Sequence, residues 1–264
     1  IKLPVVDIEA PMYAAERYRS IVERVVGKGR ASVTDLAGDL EVTPETIRRD
    51  LSYLESRGLV RRVHGGAVPV GRVIVEVPVS DRNEERVDLK SRIARAALAE
   101  LPTRGAVIVD AGSTTGQLLD LIPDSYELTI ITDSIEHAMR LANRPNIVTL
   151  LLGGRLRSST LACVDQWALN ALAGIYADVA IVGTNGIDAV RGLTTPDMAE
   201  AAVKRAMLRA ARRTVVLADH TKFGADHFAQ FASMSDIHVL ITDPDTPAET
   251  LTDFANSALT VVVA

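Results

Sequence analysis

Arg49, Ser52 and Tyr53 fall on one face of a short helix with Glu45 and Ser56, flanked by Thr46 and Arg48, when residues are wound at about 100° each. Ile47, Leu51 and Leu54, at i, i+4 and i+7, form the opposite apolar stripe. An outward face of Arg, Ser, Thr and Tyr has the chemistry to read a DNA major groove, because guanidinium groups bond guanine edges bidentately and hydroxyls bond phosphates or bases. Thr43 suits the N-cap, Pro44 the first helical position and Gly58 the stop. An amphipathic helix at residues 35–40, with Leu36 and Leu40 on one face, precedes it. After Gly58, residues 59–63 read as a strand, His64-Gly65-Gly66 as a turn and Ala67-Val68 as a return strand. From Arg48 to Arg72, six Arg face only Asp50 and Glu55, a local balance of +4. The expected DNA-contacting residues are Thr43, Glu45, Thr46, Arg48, Arg49, Ser52, Tyr53, Arg61, Arg62, His64 and Gly65. The pattern alone fits an ordinary αα-hairpin equally well.

A second set of residues suits anions and sugars. Asp110-Ala111-Gly112-Ser113-Thr114-Thr115, Thr132-Asp133-Ser134, Gly153-Gly154-Arg155, the run from Gly183 to Asp188 and the run from Asp219 to Gly224 each follow a short apolar run. Glycine and hydroxyl residues leading into a helix N-terminus make an anion cradle from backbone N–H groups and the helix dipole. Arg155 or Arg157 is a candidate partner for phosphate. Singly, each run is weak. Gly-Gly after a strand is ordinarily a turn, and Glu200 with Lys204 at i, i+4 is ordinarily a solvated pair. Polar ends on five strands together are harder to dismiss. His137, His220, His227 and His238 lack close ligand spacing, so no metal is expected. No Gly-x-Gly-x-x-Gly follows a strand, so no cofactor is expected either.

The elements that must position these groups are legible. Residues 13–27 read as a helix with Tyr18, Ile21, Val22 and Val25 inward, and residues 31–33 as a short strand pairing with the basic hairpin. Residues 1–11 have no clear period, and Met12 is a candidate start. Pro69, Gly71 and Pro78 mark residues 69–82 as a linker with an edge strand at 73–77. A long helix is expected over 83–101, polar and basic at first (Glu84, Glu85, Arg86, Lys90, Arg92). Strands follow at 106–109, 128–132, 147–152, 178–182, 214–218, 237–241 and 259–263, with helices at 114–121, 135–141, 165–173, 198–211 and 248–256. That alternation predicts an α/β fold with a largely parallel sheet. In such sheets ligands bind outside the carboxyl ends of the strands, where the polar runs lie.

Composition sets the frame. The 264 residues carry a net charge of −5 with one cysteine, Cys163. Charge divides unevenly, +1 over residues 1–70 and −6 over the rest, which fits a protein touching DNA with one surface. One thiol cannot form an intrachain disulfide, and Cys163 reads as a packing residue. With no signal peptide and no membrane span, a cytoplasmic location is expected.

Thr-Pro-Glu-Thr-Ile-Arg-Arg-Asp-Leu, followed by Leu-Glu-Ser-Arg-Gly-Leu-Val-Arg-Arg-Val-His-Gly-Gly-Ala, closely resembles the DNA-binding domain of the DeoR family of bacterial transcriptional regulators. DAGSTT, TDS, LGGRLR, VGTNGID, RGLTT, EAAVKRAM and LADHTKFG resemble that family's sensor domain. The resemblance implies a winged helix-turn-helix at 12–68 and an α/β effector-binding and oligomerisation domain at 83–264. It implies a sensor fold similar to ribose-5-phosphate isomerase and glucosamine-6-phosphate deaminase. It further implies that Gly112, Ser113, Thr114 and Thr115 hold phosphate, while Asp110, Asn185, Asp188, Glu200, Lys204, Asp219 and Lys222 line the sugar side. Thr132, Ser134, Gly153, Gly154 and Arg155 complete the candidate effector set. Val164-Asp165-Gln166-Trp167 departs from the family pattern, where a glycine and apolar residues are expected.

The resulting expectation is a non-enzymatic regulator, a repressor of a sugar-uptake or sugar-catabolic operon. It would bind operator DNA as a dimer or tetramer and be released by a phosphorylated sugar, fructose 1-phosphate being one candidate. The alternative is a sugar-phosphate isomerase or deaminase carrying an appended DNA-binding domain, with its Asp, Glu and Lys groups as acid and base.

Overall fold

The chain divides into two compact units, residues 1–75 and 76–264, and the computed structural model describes residues 14–27, 30–63, 65–69, 78–252, 254 and 259–264. The first unit contains α1 (Ala14–Gly27), β1 (Ala31–Ser32), α2 (Val33–Asp39), α3 (Pro44–Ser56), β2 (Val60–Val63) and β3 (Gly66–Pro69). Its core joins Ile21, Val22 and Val25 of α1 to Leu36 and Leu40 and to Ile47, Leu51 and Leu54 of α3. The expected stripes therefore do meet. Ser32 Oγ accepts the amide of Asp35 at 3.0 Å, so Val33 opens α2 instead of ending the strand. Thr43 Oγ1 caps α3 by accepting the amide of Thr46 at 3.2 Å, and Pro44 follows as the first helical residue. Past α3, Gly58 takes φ +70°, a conformation glycine adopts without steric cost. The three strands form an antiparallel sheet in the order β1-β3-β2, which ties the basic hairpin to the front of the helix pair.

The second unit opens with α4 (Val79–Glu84) and α5 (Val87–Ala97), followed by a 3₁₀ turn at Leu98–Glu100. The single helix expected over 83–101 is thus broken, and α4 begins within the stretch read as linker. The interruption sits at Glu85 and Arg86, where Arg86 takes φ 50° and ψ 41°. The chain continues through β4 (Arg104–Val109), α6 (Ser113–Leu121), β5 (Glu127–Thr132), α7 (Ile135–Leu141), β6 (Ile147–Leu151), β7 (Arg155–Arg157), β8 (Ala162–Val164), α8 (Gln166–Ala173) and β9 (Ala177–Gly183). Then come β10 (Gly186–Asp188), β11 (Gly192–Thr195), α9 (Met198–Arg209), β12 (Ala211–Leu217), β13 (Ala229–Ala232), β14 (Val239–Thr242), α10 (Ala248–Thr252) and β15 (Thr260–Val263).

All seven expected strands enter one parallel sheet, ordered β15-β14-β12-β9-β4-β5-β6. Both faces are covered, which explains their unbroken apolar runs. Ile108, Ile131, Ala180, Val182, Val216 and Leu240 pack toward α8 and α9, while Val107, Ile130, Val179, Ile181, Val215 and Val239 pack toward α5 and α6. The β7-β8 hairpin and the antiparallel β10-β11-β13 sheet were not anticipated, because strands of three or four residues carry too short a period to read. The expectations at residues 1–11, at Met12, at the first residue of the helix read over 13–27, at His64, at residues 73–77 and at residues 253, 255 and 256 of the helix read over 248–256 fall outside the described residues. Among the described residues, no helix is long and apolar enough to cross a membrane.

Candidate DNA-reading face and effector cavity

Glu45, Arg48, Arg49, Ser52, Tyr53 and Ser56 all lie exposed on α3. Several are held by neighbours. Arg48 pairs with Glu45 at 3.1 Å, and Thr43 and Thr46 share a 2.9 Å hydroxyl contact at the cap. Ser52 Oγ donates to the Arg48 carbonyl at 2.9 Å and accepts from Arg62 Nη1 at 2.8 Å, while the Arg62 amide donates to Glu55 Oε1 at 2.8 Å. This cross-bracing joins the wing strand to α3. Tyr53 is less free than its position suggested: its ring stacks on Tyr18 at 4.7 Å and lies under the Arg57 guanidinium at 5.3 Å. Arg49, Arg61 and Gly65 are exposed, and neither arginine has an ion pair among the described residues.

Beneath this face lies a charge pair that the sequence pattern did not reveal. Asp50 is 4% exposed and takes a bidentate contact from Arg17 of α1, Nε to Oδ2 at 2.5 Å and Nη2 to Oδ1 at 3.1 Å. The hydrogen bond to Asp50 raises the Arg17 pKa. One side of α3 is therefore fixed and the other is displayed, an arrangement suited to docking a rigid helix in a groove.

In the second unit, a cavity opens at the carboxyl ends of β4, β9 and β12. It is lined by Ala111 to Thr115, by Gly183 to Asn185, by Glu200 and Lys204 of α9, and by Leu217 to Asp219 with Lys222. Arg82, Glu85, Arg86 and Lys90 complete the lining. Gly112 precedes α6 with no side-chain cap, so the first amides of α6 remain available to an acceptor in the cavity. The turn before α6 is braced. Thr115 Oγ1 donates to the carbonyls of Asp110 at 2.7 Å and Gly112 at 3.0 Å. His137 Nε2 meets the Gly112 carbonyl at 3.2 Å, and burial pushes the imidazole pKa down to about 4. A neutral ring donating from Nε2 fits both observations.

The cavity floor is an ionic network. Lys204, 2% exposed, donates to Asp110 Oδ2 and, at 3.1 Å, to the Gly183 carbonyl; Glu200 Oε1 lies 3.8 Å away. Glu200 Oε2 pairs in turn with Arg157, whose Nε lies 3.5 Å from Asp197. Burial alone would lower the Lys204 pKa, but Asp110 and Glu200 outweigh it and the pKa is raised. Asp133, fully buried, accepts the Ala111 amide at 2.8 Å, and burial together with nearby Asp110 pushes its carboxyl well up. At the mouth, burial would raise Asp219, but Lys222 and Thr221 hold it below the usual carboxylate range.

Nine of the candidate effector residues line this cavity: Gly112, Ser113, Thr114, Thr115, Asn185, Glu200, Lys204, Asp219 and Lys222. Asp110 lies just under it, in contact with Lys204. The other six are not brought to it. Thr132 Oγ1 accepts the Ser134 amide at 3.1 Å, and Ser134 Oγ caps α7 through the His137 amide at 3.2 Å. Arg155 pairs with half-buried Asp165 at 2.7 Å. Gly153 lies against the Trp167 ring, and a Cβ at Gly154 would stand 2.2 Å from the Val164 carbonyl oxygen, so that glycine serves a close backbone crossing. Asp188 Oδ1 accepts the amides of Val190 and Arg191, at 2.9 and 2.7 Å, in the β10-β11 turn. Glu200 and Lys204 correct the solvated-pair reading in the other direction, since both are buried. Of the missed lining residues, Glu85, Arg86 and Lys90 had only a polar helix start as their signal, and Arg82 lay in the stretch read as linker.

Asp165 carries the departure from the family pattern. It takes φ 75° and ψ −165°, a region essentially reserved for glycine. Trp167, next on α8, is 75% exposed. Elsewhere, His220, Asp243 and Asp245 bring ligand-type atoms within 4.8 Å of one another, which spacing among histidines alone did not show. Asp243 accepts the amides of His220 at 2.7 Å and Asp245 at 3.0 Å and meets His220 Nδ1 at 2.9 Å, so both of its oxygens already hold the loop.

Comparison with known proteins agrees with this two-part geometry. Residues 17–72 match a DeoR-like helix-turn-helix domain, and residues 85–244 match the DeoR C terminal sensor domain. The chain is 38% identical to the HTH-type transcriptional regulator GlpR of Haloferax volcanii, over 95% of this chain and 98% of that one. It is 32% identical to the HTH-type transcriptional regulator FruR of Bacillus subtilis, over 89% and 93% of the two chains. Among solved structures, ribose 5-phosphate isomerase A from Methanocaldococcus jannaschii is similar over 53% of this chain and 55% of its own, at 16% identity and a TM-score of 0.40. The full-length relatives are regulators, which removes the isomerase or deaminase alternative.

Proposed function

This chain belongs to the DeoR family of DNA-binding transcriptional regulators, and from that premise we propose that it represses a sugar-uptake or sugar-catabolic operon and is released by a phosphorylated sugar. The observation that carries the effector class is the meeting of uncapped α6 amides with Lys222, Arg82, Arg86 and Lys90 around one cavity. Backbone donors and surrounding cations suit a phosphate. Buried Asp110, Glu200 and Lys204 beside them suit hydroxyl groups, which can both donate and accept.

Arg48, Arg49, Ser52 and Tyr53 would read the major groove, with Thr43, Glu45 and Thr46 at the leading end of α3. Arg61, Arg62, His64 and Gly65 would meet the backbone or minor groove from the wing. Paired half-sites call for at least a dimer. Self-association is supported by the sheet-edge strand β6, which exposes Val148, Leu150 and Leu151 and carries no charged residue. Release requires that the effector prefer the conformation that cannot grip DNA, since equal affinity for both shifts nothing.

The test is a thermal-shift screen of the full chain against phosphorylated sugars and their unphosphorylated parents, starting from fructose 1-phosphate. A ligand at ~100 times its Kd adds about 2.7 kcal/mol to the unit that binds it. A phosphorylated sugar that stabilises the chain, with its parent inert, is the expected result. Stabilisation by the parent sugar alone would overturn the phosphate reading.

A further inference from the structure

Four residues around the cavity come from one stretch: Arg82 from α4, Glu85 and Arg86 from the break after it, and Lys90 from the start of α5. These are the helices that follow residues 70–77, the stretch joining the second unit to the winged hairpin. Their backbone is interrupted where the cations cluster. Arg86 is held in a left-handed conformation that only glycine adopts freely. Lys90, 4% exposed, donates from Nζ to the Arg82 carbonyl and, at 2.6 Å, to the Glu85 carbonyl, acceptors that the broken helix leaves open. Upstream of the break, α4 is fastened: the Val79 amide donates to the Ser159 carbonyl at 2.7 Å, and Asn83 Nδ2 donates to Glu136 Oε1 at 2.9 Å.

The cations are crowded and incompletely countered. Arg82 Nε is buried with no hydrogen-bond partner among the described residues. Arg86 pairs with its neighbour Glu85 at 3.3 Å. Burial pushes the Lys90 pKa down to about 8, against the pull of Asp219, with Lys222 and Arg82 lowering it further. Burial also lowers Lys222, and Arg82 and Arg86 add to that effect. An anion placed among these groups would relieve repulsion that the protein alone leaves standing.

We propose that the Arg82–Lys90 turn is an anion-operated clasp: a phosphate seated at the N-terminus of α6 draws in Arg82 and Arg86 and fixes the break between α4 and α5. The segment leading to the winged helix then becomes the part of the second unit that reports occupancy. An amide cradle alone would bind an anion in the same way whatever that segment did. Arg82 and Arg86 supply the contact that differs between two arrangements of the segment, which is what a ligand needs in order to shift an equilibrium. The inference rests on reading the cavity as a phosphate site.

The test uses amide hydrogen exchange on the full chain, with inorganic phosphate against sodium chloride at equal ionic strength. Phosphate is expected to slow exchange at residues 113–116 and at residues 86–90 together. In an R82Q/R86Q variant the slowing at 113–116 persists at roughly tenfold weaker phosphate affinity, and the slowing at 86–90 is lost. Arg86→Lys, which keeps the charge, retains both. Slowing at 113–116 without any change at 86–90 in the unmodified chain overturns the clasp and leaves the anion site standing. No response in either segment removes the anion site and the clasp with it. Because the unmodified chain gives the deciding comparison, the result does not depend on how well the variants fold.

Discussion

The two units place their polar chemistry on opposite sides of the surface. On α3 the groups suited to DNA are exposed, and the core beneath them is apolar apart from the Arg17–Asp50 pair. Around the cavity the reverse holds: Asp110, Asp133, Glu200 and Lys204 are at most 2% exposed and form part of the interior. A surface that reads a groove can change its side chains with little effect on folding. A binding site built from buried ions cannot, because each charge depends on its partners for solvation. Function and stability should therefore separate in the first unit and move together in the second.

The largest expected effect lies at the cavity floor. Lys204→Met leaves Asp110 and Glu200 buried without their ammonium and should cost about 3–5 kcal/mol in denaturant unfolding. A loss below about 1 kcal/mol would mean that the network is open to water, and the contrast with α3 would weaken. Acid should act on the same unit. The His137 pKa is near 4 in the folded chain, below the ~6.5 of an unfolded one. As pH falls, the unfolded chain takes up that proton first, so this contribution is intact above about pH 6.5 and lost by about pH 4, some 3 kcal/mol in all. His137→Gln, which has no such titration, should flatten that part of the pH–stability curve. An unchanged curve would mean that the ring is not held neutral.

On the exposed side, Arg49→Ala should shift stability by no more than about 0.5 kcal/mol yet weaken operator binding by about 1–3 kcal/mol. Gel-shift titrations beside a denaturant melt check both halves. A parallel loss of stability would show that Arg49 supports the core, and a loss of effector affinity would show that the two units are not divided as described.

The regular parts of this division were legible in the sequence because they rest on period. Ile47, Leu51 and Leu54 announced the buried side of α3, and continuous apolar runs announced the seven sheet strands. What stayed hidden depends on contacts between distant residues. Asp50 reads as one more polar helix position until Arg17, thirty-three residues earlier, is brought against it. Glu200 and Lys204 carry the spacing of a surface pair, and contacts with Arg157, Asp110 and the Gly183 carbonyl hold them in the interior. Arg86 and Lys90 fall on one continuous expected helix and Arg82 on the expected linker before it, since helical periodicity does not show a left-handed residue in its midst. Arg155 was placed at a strand end and assigned to phosphate, but a nearby carboxylate, Asp165, takes it.

Asp165 also supplies the smallest test of the comparison, at a place where the second unit carries an exposed charge. Its backbone lies in a region that costs a side-chain-bearing residue about 1–3 kcal/mol. Its pair with Arg155 joins two exposed side chains, 58% and 45% accessible, and water screens such a contact strongly. Asp165→Gly removes the strain and the pair together, and it adds chain entropy to the unfolded state worth roughly 0.5–1 kcal/mol. The balance should favour glycine by about 1 kcal/mol, read as a midpoint rise of roughly 2–4 °C in a thermal melt. Asp165→Ala removes the pair but keeps the strained backbone, so it should be less stable than the glycine variant. If alanine and glycine behave alike, strain is not what Asp165 bears; if both also fall well below the unmodified chain, the ion pair with Arg155 counts with the buried network instead of with the surface.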